Sequence, residues 1–172
     1  VQLEIGVFEA LEDDYEDLFK TKSIEEFISK SNSLAPNAYN SIVPQMVEKS
    51  KVLDVGVGTG ASSLYLSKMG FVVTTIEPAE IFCRLLDKKA NEFSQNINIY
   101  RGVAEDINKI EEKFDYVIFN ASLHHCDEPM IALDSARKCL NFGGEIFLVS
   151  ESILKPWRTK RWFYWMWYKC TK

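Results

Sequence analysis

Residues 51–60 read Lys-Val-Leu-Asp-Val-Gly-Val-Gly-Thr-Gly, and this stretch decides the fold class. Its apolar residues Val52, Leu53 and Val55 are typical of a short buried strand. Three glycines follow at alternate positions, and a helical pattern begins at Ala61. Glycine adopts backbone angles that a side chain forbids, so such a loop can bring main-chain N–H groups close to a ligand. The stretch therefore predicts a nucleotide-binding strand, turn and helix.

Asp54 stands two positions before the first glycine, inside this predicted strand. A buried carboxylate is costly unless it meets a cation or several hydrogen-bond donors. It would disfavour a pyrophosphate, whereas S-adenosylmethionine carries an ammonium and a sulfonium and has no phosphate. The segment VLDVGVGTG resembles the first motif of class I S-adenosylmethionine-dependent methyltransferases. That resemblance implies a Rossmann-like fold, S-adenosyl-L-methionine as cofactor and S-adenosyl-L-homocysteine as product, with Asp54 and Gly56, Gly58 and Gly60 at the methionine end.

The composition is that of a soluble globular domain: 172 residues, 47% apolar and 26% charged. A net charge of −5 argues mildly against nucleic acid as a partner. The four cysteines form no CxxC pair, which favours reduced thiols and a cytoplasmic location. The sequence has no run of about 18 apolar residues of the kind that spans a bilayer.

The chain divides into three predicted regions: an N-terminal helical cap over 1–50, an S-adenosylmethionine-binding α/β domain over 51–152, and a basic aromatic helix over 153–172. Within the middle region, strand and helix patterns alternate, which predicts a doubly wound, mostly parallel sheet with helices on both faces. We expect strands at 51–55, 71–76, 97–100, 114–119 and 145–150, and helices at 24–29, 38–49, 60–69, 79–93, 105–112 and 128–140.

Glu77 ends the second predicted strand, 21 positions after Gly56. This is the spacing at which an acid accepts hydrogen bonds from ribose hydroxyls, in dehydrogenases and methyltransferases alike. The alternative is a helix N-terminal acid favoured by the helix dipole. Pro78 and Phe82 follow closely and are predicted to pack beside an adenine.

Residues 102–106, Gly-Val-Ala-Glu-Asp, follow the third predicted strand. They resemble the Gly-Asp-Ala-Glu-Asp segment that holds the adenine in many of these methyltransferases, with Val103 in place of the commoner aspartate. The resemblance implies that the Ala104 N–H and the carboxylate of Glu105 or Asp106 contact the base. A helix start capped by acids is the alternative.

Asn120 to His125 follow the fourth predicted strand and include both histidines of the chain. The segment resembles the fourth motif of small-molecule methyltransferases, which implies that Asn120 lies beside the cofactor. A neutral imidazole can accept a proton from a hydroxyl or amine, so His124 is the candidate catalytic base and His125 a candidate substrate residue. Either histidine could instead only shape the pocket. With Cys126 they suggest a metal, but adjacent side chains mostly point apart, so we expect none.

Two further regions bear on the acceptor. In methyltransferases of this type the leading helices contribute to the substrate pocket, which makes Tyr39 a candidate substrate residue; the alternative is that Tyr39 is simply packed. Residues 155–172 hold six basic residues and no acid, and all four tryptophans lie within Trp157–Trp167. The segment Trp157–Tyr168 could contact a membrane surface or a protein, close over substrate, or belong to the core.

The Gly143-Gly144 pair resembles the turn before strand five of the family. No antiparallel hairpin follows it, so we expect a fragment or a shortened variant that lacks the C-terminal hairpin. The combined prediction is an S-adenosylmethionine-dependent methyltransferase that acts on a small-molecule acceptor by in-line displacement. The alternatives are a non-catalytic S-adenosylmethionine-binding or scaffold protein and an NAD-dependent oxidoreductase, which would leave Asp54 and Glu105 without a task. The acceptor and the oligomeric state leave no mark in the sequence.

Overall fold

Five parallel strands form the sheet of this computed structural model, which describes residues 15–31 and 39–151. The order across the sheet is β3-β2-β1-β4-β5, and every neighbouring pair is parallel. The strands are β1 (Lys51–Val55), β2 (Val72–Glu77), β3 (Ile97–Arg101), β4 (Phe114–Asn120) and β5 (Leu140–Val149). The strand order reverses direction between β1 and β4, which is where open α/β sheets bind ligands. The predicted fold class is confirmed.

The described helices are α1 (Glu16–Phe19), α2 (Ile24–Lys30), α3 (Ala61–Lys68), α4 (Glu80–Glu92) and α5 (Pro129–Lys138). Short 3₁₀ helices occur at Val43–Gln45, Ala104–Lys109 and Leu123–His125. The N-terminus of α2 shows how sequence fixes a helix start. The Ser23 hydroxyl accepts from the Glu26 N–H, and the Glu26 carboxylate accepts from the Lys22 N–H. Two N–H groups at the helix entry are thus satisfied by side chains.

Alternate residues of β1 pack on opposite faces of the sheet, as the period of two requires. Val52 lies in the cluster that contains Tyr39, Ile42 and the α3 residue Leu66. Leu53 lies in the other cluster, with residues from α5 and from the 3₁₀ helix after β3. Both are fully buried, and burying one such side chain contributes about 1.5–3 kcal/mol. Since Asp54 follows Leu53, its carboxylate lies on the Val52 face, beneath the Tyr39 segment.

Two predicted α-helices are wrong within the described residues. Of the predicted helix over 38–49, only Tyr39 is α-helical among the described residues, and residues 40–50 contain the 3₁₀ helix Val43–Gln45. Pro44 lies in this 3₁₀ helix, has no N–H to donate, and disfavours an α conformation for the residue before it. In place of a helix over 105–112 the chain forms the 3₁₀ helix Ala104–Lys109. The buried Ile107 of this 3₁₀ helix and the buried Ile110 directly after it are three apart, a spacing that aligns side chains on one face of a 3₁₀ helix.

The Gly143-Gly144 turn lies inside β5 and not before it, since this strand begins at Leu140. The β4–β5 pairing shifts register between Phe114 and Tyr116, opposite this pair. Gly143 has φ +79°, and a Cβ on Gly144 would lie 2.9 Å from the Asp115 carbonyl oxygen. The glycines therefore mark an irregularity within a longer strand, a known role of glycine in sheets.

Parts of the predicted organisation fall in residues 1–14, 32–38 and 152–172, which are not among the described residues. The predicted helix over 153–172 and its segment Trp157–Tyr168 lie there entirely. Within the part of the chain that the structure describes, no helix is both long enough and apolar enough to span a bilayer.

Candidate cofactor and acceptor site

A cavity of about 210 Å³ lies at the carboxyl ends of β1, β2 and β4, where the strand order reverses. The glycine loop, the start of α4, the 103–105 segment and the turn after β4 all border it. Of the sequence-predicted cofactor residues, those that line it are Gly56, Gly58, Glu77, Pro78, Phe82, Ala104 and Glu105. His125, predicted at the substrate, lines it too, whereas Asp54, Gly60, Asn120, Tyr39 and His124 do not. The structure thus brings most of the predicted set into one space.

Glu77 is the most constrained side chain of this cavity. Its carboxylate accepts from the Gly58 N–H at Oε2 and from the Ala79 N–H at Oε1, each at 2.9 Å. Burial raises the pKa of Glu77 to about 7; the backbone N–H groups of Ala79, Gly58 and Val57 act against this shift, and the nearby Asp54 charge adds to it. Each carboxylate oxygen can still accept a further hydrogen bond. Glu77 is therefore held rigidly with acceptor capacity to spare.

The three loop glycines have positive φ but different surroundings. A Cβ on Gly56 would lie 2.7 Å from the Ser122 Cβ, and one on Gly60 would lie 2.7 Å from Leu86 Cδ1. A Cβ on Gly58 would meet nothing within 4 Å. Gly56 and Gly60 are thus required for packing against the β4 turn and α4, whereas Gly58 leaves open space that a ligand can occupy.

Asp54 is 1% exposed and accepts from three hydroxyl groups. Tyr39 donates to Oδ1 at 3.1 Å, and Ser62 and Ser63 donate to Oδ2 at 2.7 and 2.8 Å. Burial raises the pKa of Asp54, and the three hydroxyls oppose that shift. Of the two ways to satisfy a buried carboxylate, a cation or several donors, the structure shows the donors. A contact between Asp54 and a cofactor stays a prediction.

Tyr39 lies beneath the glycine loop and is fully buried, with its ring stacked on Tyr65 at a centroid distance of 6.2 Å. Burial and the Asp54 charge hold the pKa of its hydroxyl well above the ordinary value, so it acts as a donor. Tyr39 is thus packed in this structure, and a role at the substrate stays a prediction. Asn120 ends β4, and its buried Oδ1 has no partner among the described residues; its role toward a cofactor remains a prediction.

Apolar groups dominate the side of the cavity predicted to hold the adenine. Phe82 is 4% exposed and packs edge-to-face with Tyr15 at a centroid distance of 5.1 Å, so its ring is fixed. Glu105 has a structural task as well, because its carboxylate accepts from the Glu128 N–H at 3.0 Å and its carbonyl accepts from the Ser135 hydroxyl. These bonds hold the 103–105 segment against α5.

The turn after β4 is held by Glu151, which sequence reasoning missed. The Glu151 carboxylate accepts from the backbone N–H groups of Ser122, Leu123 and His124 at 2.7, 2.8 and 3.2 Å. It also contacts His124 Nδ1 at 2.7 Å. The available signal was an acid directly after the last predicted strand, at the sheet edge where ligands bind. Ser62 and Ser63 were missed as well; their signal was two hydroxyls in the first turn after the glycine loop.

The cavity suits a nucleoside without phosphate groups. Among the described residues that line it, two are acids and none is lysine or arginine, a lining that would repel a pyrophosphate. The Ser122 hydroxyl, on a lining residue, is buried and has no partner within the described chain. Within residues 15–31 and 39–151 there is no group of three or more side chains that could hold a metal ion. Fold and cavity define an α/β domain with a ligand-binding position at the reversal of its strand order.

Comparison with known proteins gives the family. Residues 53–148 match the model of the family described as "Methyltransferase domain". This match covers more than half of the chain, so the protein belongs to the S-adenosylmethionine-dependent methyltransferase family. The predicted family is confirmed, and with it S-adenosyl-L-methionine as the family's cofactor.

Three relatives illustrate the range of the family. The chain is 33% identical over 114 residues to the probable S-adenosyl-L-methionine-dependent methyltransferase TehB of Haemophilus influenzae, covering 64% of this chain and 39% of TehB. The solved TehB structure superposes with a TM-score of 0.61 at 24% identity, over 73% of this chain and 45% of that one. A ubiquinone biosynthesis O-methyltransferase of Hydrogenovibrio crunogenus is 32% identical over 104 residues, 60% of this chain and 43% of that protein.

The third relative is named as a methyltransferase of ribosomal RNA. It is the 23S rRNA (uracil(747)-C(5))-methyltransferase of Pyrococcus abyssi, 40% identical over 77 residues, 45% of this chain and 19% of that protein. The prediction against a nucleic-acid partner is therefore not confirmed. The chain spans less than half the length of these curated relatives.

Proposed function

We propose that the cavity binds S-adenosyl-L-methionine and that the protein transfers the methyl group to a small-molecule acceptor. The observation that carries this proposal is Glu77, a rigid carboxylate that lines the cavity at the end of β2 and retains acceptor capacity. Two vicinal hydroxyls of a ribose match two carboxylate oxygens that are already oriented. An adenosine ligand therefore binds without first ordering this side chain, which reduces the entropic cost of binding.

The remaining lining residues give the rest of the ligand a complementary surface. Pro78 and Phe82 present apolar faces to an adenine, and the 103–105 segment borders the same region. The open space at Gly58 allows the main chain to approach the ligand. Asp54 supports the loop from beneath by fixing Ser62 and Ser63 in the first turn of α3.

When bound, S-adenosyl-L-methionine supplies a methyl carbon that its sulfonium makes electrophilic. The protein's contribution is then to hold an acceptor in line with that carbon and to exclude water. His125 lines the cavity and His124 is adjacent, with ring centroids 4.1 Å apart. A hydroxyl or protonated amine must lose its proton as it attacks, and an imidazole is suited to accept it. His124 therefore remains the proposed base, with His125 at the substrate.

A small-molecule acceptor is supported by one relative, which is named as a ubiquinone biosynthesis O-methyltransferase. The net charge of −5 is likewise unfavourable for a phosphate backbone. The rRNA methyltransferase relative makes RNA the alternative that an experiment must include.

The first experiment is calorimetric titration of the purified chain with S-adenosyl-L-homocysteine, with NAD as the comparison. We expect binding of the former and none of the latter, because a pyrophosphate would meet the acids Glu77 and Glu105. Preference for NAD would overturn the proposal. Methyl-labelled S-adenosyl-L-methionine is then incubated with the protein and either a low-molecular-mass metabolite fraction or total RNA. Label in the RNA alone would overturn the small-molecule acceptor.

A further inference from the structure

Glu151 lies two residues after the end of β5, and its side chain is inserted beneath the turn that follows β4. Its side chain is 4% exposed. Oε1 accepts from Ser122 and Leu123, and Oε2 accepts from the His124 N–H and contacts His124 Nδ1. One carboxylate thus gathers three backbone N–H groups and one ring nitrogen from three consecutive residues. A strand can end without such a set of contacts.

Backbone strain occurs at the two positions where these segments leave the sheet. Ala121 follows β4 with φ +53°, and Ser150 follows β5 with φ +55°. Both lie in the left-handed region, which costs a residue with a Cβ about 1–2 kcal/mol. The Ala121 N–H donates to the Val149 carbonyl at 2.8 Å, so the two strand ends are also tied together. The strained residues turn Ser122 and Glu151 toward one another, and the carboxylate contacts offset the cost.

The contact with Glu151 determines which ring nitrogen of His124 carries the proton. An ionised carboxylate has no hydrogen to donate and can only accept. A separation of 2.7 Å requires a hydrogen between Oε2 and Nδ1, so that hydrogen belongs to the ring. In the neutral imidazole the other nitrogen, Nε2, then carries the lone pair.

His124 lies at the edge of the site and not in the cofactor cavity. Its side chain is about one-third exposed, and its ring packs against His125, which does line the cavity. We propose that Glu151 is a positioning residue that fixes the 122–125 turn and holds the His124 proton on Nδ1. Nε2 is thereby presented as the acceptor for a hydroxyl or ammonium group of the methyl acceptor. This inference rests on the function proposed above for the same site.

The test is a nitrogen-15 NMR measurement of histidine tautomers in the full chain at alkaline pH, where imidazole is neutral. The chain has two histidines, so two ring spin systems are expected, and a His125→Asn variant assigns them. We expect the proton of wild-type His124 on Nδ1. A proton on Nε2 of wild-type His124, or an equal mixture of the two tautomers, would overturn the proposal. This result needs no variant of Glu151.

The decisive variant is Glu151→Gln. A carboxamide has one acceptor oxygen, which stays with the Ser122 and Leu123 N–H groups, and its NH₂ then faces His124 Nδ1. The ring must accept there, so we expect the proton to move to Nε2. Glu151→Asp keeps the carboxylate and should keep the wild-type tautomer. Glu112→Gln, a carboxylate that contacts Lys51 and Thr74 near the opposite end of the strands, is the matched control and should change nothing.

An unchanged His124 tautomer in a folded Glu151→Gln variant would overturn the proposal, because Glu151 would then not set it. Circular dichroism shows whether the variant folds; if it does not, the wild-type tautomer and the Glu151→Asp variant decide. Titration of the wild type with S-adenosyl-L-homocysteine separates the two proposals. Absence of binding refutes the proposed function, whereas an Nε2 proton on His124 alongside normal binding refutes only the role of Glu151.

Discussion

The glycine loop after β1 and the turn after β4 border the same cavity, and each is held by a buried carboxylate from the end of another strand. Glu77 binds the glycine loop through the Gly58 N–H, and Glu151 binds the β4 turn through three N–H groups. The two carboxylates differ in the acceptor capacity that these N–H groups leave free. Glu77 lines the cavity with acceptor capacity to spare, whereas the Glu151 carboxylate is occupied by protein groups and does not line it.

This difference teaches that burial alone does not mark a ligand-binding acid. Asp54, Glu77 and Glu151 are all buried at the carboxyl ends of strands. Asp54 has three hydroxyl donors, Glu151 has N–H donors, and only Glu77 faces the cavity. A carboxylate binds a ligand when its donors leave lone pairs directed at open space, and otherwise it positions the residues that bind.

The largest effect is expected for Glu77→Ala, which removes the proposed ribose acceptor. Hydrogen bonds to a charged group contribute about 1.5–3 kcal/mol, so affinity for S-adenosyl-L-homocysteine should fall about 100-fold. Calorimetric titration measures it. Glu80→Ala is the matched control, an exposed acid at the start of α4 that pairs with Arg101, and it should leave affinity within about twofold. Equal losses in the two variants would contradict the distinction between lining and non-lining acids.

A smaller effect is expected from the glycine loop itself. In Gly60→Ala a Cβ at φ +85° would lie 2.7 Å from Leu86 Cδ1, so the free energy of unfolding should fall by about 2 kcal/mol. Gly58→Ala meets no atom within 4 Å, so it should lower the free energy of unfolding by only about 1 kcal/mol, the cost of a Cβ at φ +53°, yet its methyl enters the open space. We expect Gly60→Ala to lower stability in urea unfolding and Gly58→Ala to lower affinity for S-adenosyl-L-homocysteine. The reverse pattern would show that the loop is oriented differently.

The pH dependence of binding tests Glu77 without a mutation. Its pKa is raised to about 7 in the free protein, and donation from ribose hydroxyls favours the ionised form. Affinity for S-adenosyl-L-homocysteine should therefore be level above about pH 7 and fall by up to about tenfold per pH unit below it, about 1.4 kcal/mol per unit. Calorimetry in buffers of different ionisation enthalpy should detect proton release on binding near pH 6. Constant affinity across this range would exclude an ionised Glu77 from the contact.

The same raised pKa has an opposite consequence for the free protein. A carboxyl whose folded pKa lies above its unfolded value of 4.5 contributes stability that is fully present below that value. This contribution is lost as the pH rises through about 7. Ligand binding and stability should thus respond to pH in opposite directions in this range, which denaturant unfolding with and without S-adenosyl-L-homocysteine would show.

The sequence predicted the sheet well, and most of the residues that it assigned to a cofactor line one cavity, because both depend on local signals. Strand periodicity and the glycines placed β1 to β4 within about two residues, and the spacing from Gly56 to Glu77 identified a lining acid. The start of β5 was misplaced because the glycine pair looked like a turn. Its place inside the strand depends on the β4 register and on the Asp115 carbonyl, which no local pattern reports.

The sequence failed where a side chain's partners come from distant segments. Glu151 is 27 residues from His124, and no spacing rule links the end of β5 to a turn after β4. The hydroxyl donors of Asp54 were not predicted, since Tyr39 lies 15 residues away in a segment expected to be helical. Burial of an acid was predictable, but the identity of its donors required the fold.

The smallest effect on binding is expected for Asp54→Asn. This variant tests whether Asp54, the acid of β1, contacts the ligand as Glu77 is proposed to do or only positions other residues as Glu151 is proposed to do. Hydroxyl groups can accept as well as donate, so Tyr39, Ser62 and Ser63 can reorient around an amide, and the free energy of unfolding should change by about 1 kcal/mol or less. Affinity for S-adenosyl-L-homocysteine should stay within about threefold, because Asp54 does not line the cavity. Titration beside a Glu77→Gln variant makes the comparison direct. A loss of tenfold or more in Asp54→Asn, with stability unchanged, would mean that the charge of Asp54 acts on the methionine ammonium, and β1 would then supply a second ligand-binding acid.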